Sequence, residues 1–164
     1  MCLRLELVTG RVLRPSVPAD APRLVAMFER CSAESRYARF LGPLQHFPAA
    51  HLLDVVRPSP IRRSWVVDDV DTGHVVGVGS WFRTERLHSA DVGLLVEDGQ
   101  QRRGHGAALL DAIVTSARTA GVTELVATTL RDSRHVHRML RRVGPTRMEC
   151  DGFTCDLRVA LTCC

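Results

Sequence analysis

The run Ala90-Asp91-Val92-Gly93-Leu94-Leu95-Val96-Glu97-Asp98-Gly99-Gln100-Gln101-Arg102-Arg103-Gly104-His105-Gly106 decides the reading of this chain. Ala90 to Val96 is apolar and β-rich, and Glu97 to Arg103 is a polar loop bearing glycine. From Gly104 to Ala120, Leu110, Ile113, Val114 and Ala117 recur at helical spacing, and Gly121 sits at the C′ position. A strand that passes through a short loop into a helix presents the first amides of that helix together. Those amides lack intrahelical acceptors and lie at the positive end of the helix dipole, so they can bind a pyrophosphate with little rearrangement. A Cβ at Gly104 or Gly106 would hold them away from phosphate oxygens, and Arg102 and Arg103 can add charge-assisted contacts. The same glycines do not make a dinucleotide fingerprint, because Leu109 stands where the third glycine belongs and no acidic residue ends the next strand.

Outward from this run, the chain reads as strand, three short helices, three strands, helix, strand, helix and a closing hairpin. Arg11 to Arg14 predicts a strand, and Asp20 an N-cap for a helix carrying Leu24, Met27, Phe28 and Cys31. Ser32 opens a second helix through Glu34, Tyr37 and Phe40 that Gly42-Pro43 stops, and Pro48 to Val56 makes a third. Ser64 to Asp68 and His74 to Phe82 form a hairpin around Asp71-Thr72-Gly73. Leu125 to Leu130 is a buried-type strand, and Asp132 or Ser133 caps a helix with Val136, Met139, Leu140 and Val143 on one face. Thr146 to Cys150 and Phe153 to Ala160 close the order as a hairpin around Asp151-Gly152. This is an α/β (α+β) pattern: a mixed, mostly antiparallel sheet of six to seven strands flanked by four to five helices. Residues 1–164 are expected to form one domain, with 1–10 and 161–164 as loose termini.

Composition narrows the chemistry. Of the 164 residues 45 % are hydrophobic and 24 % charged, as in an ordinary globular protein. No apolar run reaches the roughly 20 residues of a spanning helix, and no leader pattern opens the chain, so a cytoplasmic location and no membrane partner are expected. All 22 Lys-plus-Arg residues are arginine, and the chain contains neither Lys nor Asn, both encoded by AT-rich codons, as in a GC-rich genome. Without lysine there is no Walker, kinase or Schiff-base lysine. The net charge of +4 is spread along the chain, which suits a small polyanion better than nucleic acid, and no nucleic-acid partner is expected. The six cysteines show no CxxC spacing, so they are expected to be reduced and no metal site is assigned.

The stretch Ala90 to Gly106, with the element order around it, resembles the signature region of GNAT N-acetyltransferases. Ser32 to Phe40 is similar to the helical region of bacterial protein-lysine acetyltransferase domains. The resemblance implies the GNAT fold and acetyl-coenzyme A as acyl donor, with transfer to a primary amine, of a protein lysine or a small molecule, by direct attack in a ternary complex. It places Leu94 and Val96 along the pantetheine arm, Gln101, Arg102, Arg103, Gly104, His105 and Gly106 around the pyrophosphate, and Leu95 or Val96 as the amide that polarises the thioester carbonyl. Ser133 stands where the family often has Asn against the cofactor.

Asp91 lies in the strand where several members carry a catalytic Glu, and becomes the candidate general base; a structural hydrogen bond at a strand edge is the competing account. The family's usual general-acid tyrosine is replaced by Leu140, which leaves solvent or His137 as proton source, although His137 also fits a solvated basic face with His135, Arg138, Arg141 and Arg142. Glu34, Tyr37 and Phe40 lie where the family receives its acceptor, and packing onto the sheet would explain Tyr37 and Phe40 equally. A non-catalytic acyl-coenzyme A sensor or partner domain is the alternative reading. A homodimer through the closing edge hairpin is also expected.

Overall fold

The computed structural model describes residues 5–8 and 10–161, with side chains from residue 10 onward. The elements run β1 (Leu5–Val8), β2 (Arg11–Pro15), α1 (Ala21–Arg30), α2 (Ala33–Phe40), α3 (Ala49–Val56), β3 (Arg62–Asp69), β4 (His74–Arg83) and β5 (Ser89–Val96). They continue as α4 (His105–Thr119), β6 (Glu124–Leu130), α5 (Arg134–Arg141), β7 (Thr146–Asp151) and β8 (Thr154–Ala160). All the strands join one sheet in the order β1-β2-β3-β4-β5-β6-β8-β7. Every neighbouring pair is antiparallel except β5 with β6, so the sheet is mixed and mostly antiparallel, as the sequence predicts.

Alternation along the strands feeds two apolar layers. Trp81, Leu125 and Leu157 meet Leu109, Leu110 and Ile113 of α4 and Leu140 of α5 on one face. Val66, Val78 and Leu95 meet Leu24, Met27 and Phe28 of α1 and Val55 and Val56 of α3 on the other. Gly79 admits α4 closely, since a Cβ there would lie 3.1 Å from Ile113 Cδ1 and 3.2 Å from Leu109 Cβ. No described helix is long and apolar enough to cross a membrane.

Several expectations are corrected. The sheet has one strand more than six to seven: β1 pairs with β2, so residues 5–8 are not loose. Leu161 is buried and its amide donates to the Thr123 carbonyl at 2.8 Å, so it too is anchored. Residues 1–4, Thr9 and 162–164, the rest of the expected loose ends apart from the turn residue Gly10, lie outside the described residues.

Asp20 precedes α1 but does not cap it through its side chain. It accepts two hydrogen bonds from Arg14 at 2.7 Å, one from the Val17 amide at 2.9 Å and one from Arg23 at 3.0 Å. The closing turn is Gly152-Phe153, one residue later than Asp151-Gly152, because Asp151 pairs with Thr154 and a φ of 55° places Gly152 first in the turn. Cys150 and Cys155, directly opposed across that hairpin, are disulfide-bonded instead of reduced, with Cα atoms 4.0 Å apart. Cys31 is free and buried, and burial, with Asp98 and Glu97 nearby, pushes its thiol up to about 12. Cys2, Cys163 and Cys164 lie outside the described residues.

Candidate active site

β5 and β6 part company within the sheet. Their parallel register runs only from Ser89 with Glu124 to Asp91 with Val126, while β5 stays paired to β4 as far as Val96 and β6 to β8 as far as Leu130. A fork therefore opens beyond Asp91, at the carboxyl ends of two parallel strands, the place where open α/β sheets receive ligands.

Hydrogen-bond parity fixes what β5 offers to the fork. The Glu97 amide donates to the Val76 carbonyl at 2.9 Å and the Thr84 amide to the Ser89 carbonyl at 3.0 Å, so odd-numbered residues of β5 turn their polar groups toward β4. The even-numbered Val92, Leu94 and Val96 turn theirs into the fork. Of the two candidates for the polarising amide, Leu95 is thus committed to β4, and Val96 faces the open side.

The loop beyond β5 is bolted down. Asp98 accepts from the Ser32 amide at 2.8 Å, the Ser32 hydroxyl at 2.7 Å and the Ser35 hydroxyl at 2.8 Å. Burial acts to raise the Asp98 carboxyl, but the Ser32 amide and the two hydroxyls hold it below its usual range. Gln101 Nε2 donates to Ser35 Oγ at 3.0 Å and to the Val96 carbonyl at 3.1 Å. Its side chain therefore ties loop, strand and α2 together instead of facing a ligand.

Past this anchor the backbone opens. Arg102 has φ 59° and Gly104 φ 88°, a left-handed pair of positions that only glycine holds without strain at 104. Among the described residues, no backbone or side-chain acceptor takes an amide hydrogen from Arg102 through Ala107; the first return bond is from Ala108 to the Gly104 carbonyl at 3.0 Å. Nothing lies within 4 Å of a Cβ built on Gly104, and one on Gly106 would touch only Met139 Sδ, at 3.8 Å. Arg102 and Arg103 are exposed and form no ion pair with any described residue. The His105 ring is buried, with neither nitrogen bonded, and burial, then the charges of Arg11 and Arg103, lowers its pKa. Only its amide faces the loop's open side. Ser133 precedes α5 and its carbonyl accepts from the His137 amide at 3.1 Å, but its side chain makes no cap bond, so the hydroxyl has not been spent on the helix end.

Asp91 is exposed beside the fork, opposite Phe82 of β4 and Val126 of β6. Partial burial raises its carboxyl, opposed by Arg158 and assisted by Asp156. His137, read partly as a member of a solvated basic face, is instead buried, with Nε2 2.8 Å from Thr129 Oγ1, and burial lowers its pKa. Leu140 is buried in the core one turn later.

The three residues expected at the acceptor entrance differ in setting. Glu34 and Tyr37 are exposed, whereas Phe40 packs among Phe28, Phe47 and His51 with ring centroids 5.5 to 6.0 Å apart. Sequence reasoning missed Arg39, His51 and Gly93, which gather beside Phe40. A glycine inside an otherwise apolar strand was the available signal, since it marks close approach of another group. Among the described residues no cluster of His, Cys, Asp or Glu could hold a metal ion.

A family model of GNAT acetyltransferases matches residues 24–144. The chain is similar to acetyltransferase Pat of Mycolicibacterium smegmatis, 28 % identical over 135 residues that make up 80 % of this chain and 40 % of that protein. It thus spans about two fifths of the length of this curated relative. The GNAT domain of S. lividans PAT superposes with a TM-score of 0.83 at 24 % identity, covering 98 % of this chain and 97 % of that one. A cAMP-binding acyltransferase from Mycobacterium smegmatis superposes at 0.66 and 23 % identity, covering 99 % of this chain and 48 % of that one. The structural likenesses establish the fold, and the family match, which extends from α1 to the end of α5 through the forked strands and the open loop, shows that the chain belongs to the GNAT acetyltransferase family.

Proposed function

We propose that the chain transfers an acetyl group from acetyl-coenzyme A to a primary amine, of a protein lysine or of a small molecule, by direct attack in a ternary complex. The observation that carries this reading is that one strand and the loop after it both hold unclaimed amides, those of Leu94 and Val96 at the fork and those of Arg102 to Ala107 at the start of α4. A strand edge suits the amide-bearing pantetheine arm, and a helix start with free amides suits a pyrophosphate. Arg102 and Arg103 add charge at its rim, and the Ser133 hydroxyl offers a further contact from α5.

A primary alkyl amine with pKa near 10.4 is about 0.1 % or less neutral at pH 7, so a base beside the site speeds attack. Asp91 takes that proton, directly or through water; a raised carboxyl pKa suits a proton acceptor. The amine nitrogen bonds to the thioester carbon, the Val96 amide steadies the charge on the carbonyl oxygen, the carbon–sulfur bond breaks and the thiolate departs. Solvent protonates the thiolate, whose pKa near 8.5 makes it a good leaving group. A solvent proton suits α5, where Leu140 has no ionisable group and the buried His137 is hydrogen-bonded to Thr129.

Calorimetry with acetyl-coenzyme A, followed by thiol release across an amine panel that includes a lysine peptide, tests the proposal. Binding with release in at least one amine is the expected result. Tight binding without release from any acceptor would instead make the chain an acyl-coenzyme A sensor or partner domain. No binding at all would end both readings.

A further inference from the structure

Arg39 is a partly buried arginine beside the site that the transfer mechanism leaves without work. Its guanidinium occupies the space beside Gly93 of β5, where a Cβ would collide with it. The Phe40 ring centroid is 4.9 Å from its Cζ, and one terminal nitrogen is 3.3 Å from His51 Nε2. Phe47, Val55, Val78, Ser80 and Leu95 complete the small cavity around it. Arg11, Arg14, Arg23, Arg30, Arg62 and Arg158 all pair with carboxylates, but no described carboxylate pairs with Arg39.

His51 does not supply the missing charge. Burial, then repulsion from Arg39, brings its imidazole down to about 4, so at neutral pH it is a neutral acceptor for the Arg39 N–H. Burial also lowers Arg39, to about 10, which leaves it cationic at neutral pH. A cation held in an apolar setting without a counter-ion is costly, and an entering anion removes that cost. The position is equally specific. Gly93 and Asp91 are alternate residues of one strand and share a face, about 7 Å apart, and the outward groups of Val92 and Leu94 flank Gly93 at the fork.

We propose that Arg39 receives a carboxylate carried by one of the two reactants, an inference that rests on the acyl-transfer reading above. On the acceptor, the carboxylate would stand a few bonds from the reacting amine, as in an amino acid, so that the amine reaches Asp91 while the acid group reaches Arg39. On the donor, it would end a dicarboxylic acyl chain such as succinyl. The ligand chemistry is the same, and the planar guanidinium matches it in two-point contact.

Matched reactants distinguish the sources: an α-amino acid against its amide and its decarboxylated amine with acetyl-coenzyme A, and succinyl- against acetyl-coenzyme A with one acceptor. The wild-type protein is expected to favour the carboxylated member of one series by about 30-fold or more in kcat/KM, the size of a charged hydrogen-bonded contact. Arg39→Gln brings that ratio to within about threefold of unity, and Arg39→Lys keeps part of it. The same series is run by calorimetry, which needs no turnover. A carboxylate preference in binding without transfer to any amine would overturn the acetyltransferase reading and leave Arg39 as an anion site. Equal treatment of both members by wild-type protein in turnover and in binding, or a preference that survives Arg39→Gln, overturns the assignment. The thermal midpoint of Arg39→Gln is expected to equal or exceed that of wild type, because an unpaired charge is removed; should the variant fail to fold, the wild-type series alone decides.

Discussion

On the proposed mechanism the Asp91 carboxyl takes the proton of the attacking amine. Its raised pKa sets the sign of two outcomes. As a base it must be deprotonated, so the acid limb of the kcat/KM profile is expected above the usual carboxylate range, near 4. Asp91→Asn should lower turnover by about 10² to 10³-fold while leaving the calorimetric affinity for acetyl-coenzyme A within error. A carboxyl bound more tightly to its proton in the folded state favours folding below the unfolded pKa and opposes it above the folded one. The variant should therefore be no less stable than wild type at pH 7, which a thermal melt checks. Retained turnover would assign Asp91 to the strand edge alone.

At this scale the sequence was only half legible. Gly104 and the open loop could be read, because free amides follow from a helix start alone. The Leu95-against-Val96 choice could not, since strand parity depends on which neighbour accepts from the Glu97 amide and which donates to the Ser89 carbonyl. Arg39 was hidden for a similar reason. Nothing in the periodicity of Ala33–Phe40 distinguishes an arginine facing solvent from one lying on a glycine more than fifty residues away.

Among the elements, the β2–α1–β3 junction is held by charge inside a partly dry corner. Burial acts to raise the Asp20 carboxyl, but Arg14, the Val17 amide and Arg23 outweigh it and hold it below its usual range. Arg14 also reaches Asp68 at 2.6 Å, and Arg23 reaches Asp68 at 2.7 Å. A depressed carboxyl contributes stability that is present above the unfolded pKa, near 3.9, and lost as pH falls through the lower folded value. Asp20→Asn should cost about 2 kcal/mol at pH 7, because Arg14 and Arg23 each keep Asp68 but lose one of two carboxylate partners, and should flatten the acid limb of the stability curve; chemical denaturation at pH 7 and below pH 4 measures both.

The β7–β8 hairpin makes the second prediction at this scale. Cys150 and Cys155 close a loop with a sequence separation of only 5, so reduction should cost about 2 kcal/mol and lower the thermal midpoint by about 4 to 8 °C. Intact-mass measurement with and without alkylation checks the bond itself. Element order was readable from periodicity and turn residues. The added strand β1 was not, because four residues at a chain end carry too short a pattern, and neither was cross-strand cysteine pairing, which needs the register of β7 on β8.

For the molecule as a whole, charge and cooperativity decide the response to ligand. A chain with net charge +4 and arginines at the open loop should bind a polyanionic donor less tightly as salt rises, and Arg102→Gln with Arg103→Gln should reduce that slope. At a hundredfold excess over its Kd, acetyl-coenzyme A should add about 2.7 kcal/mol of stability, read as a rise of about 5 to 11 °C in the thermal midpoint. An unchanged midpoint at saturating ligand would remove the donor site. The two-layered sheet could be foreseen from alternating apolar residues, whereas its fork could not, because divergence of β6 from β5 is a property of twist and partner choice across the sheet.

The fork also has a colloidal side. Two diverging strands leave a notch with unpaired amides in the middle of the sheet, and an unpaired strand edge is a template for a stray chain. Filling it with pantetheine would work as a plug against self-association. Light scattering of concentrated protein should accordingly show fewer aggregates when coenzyme A is present throughout purification than when it is withheld.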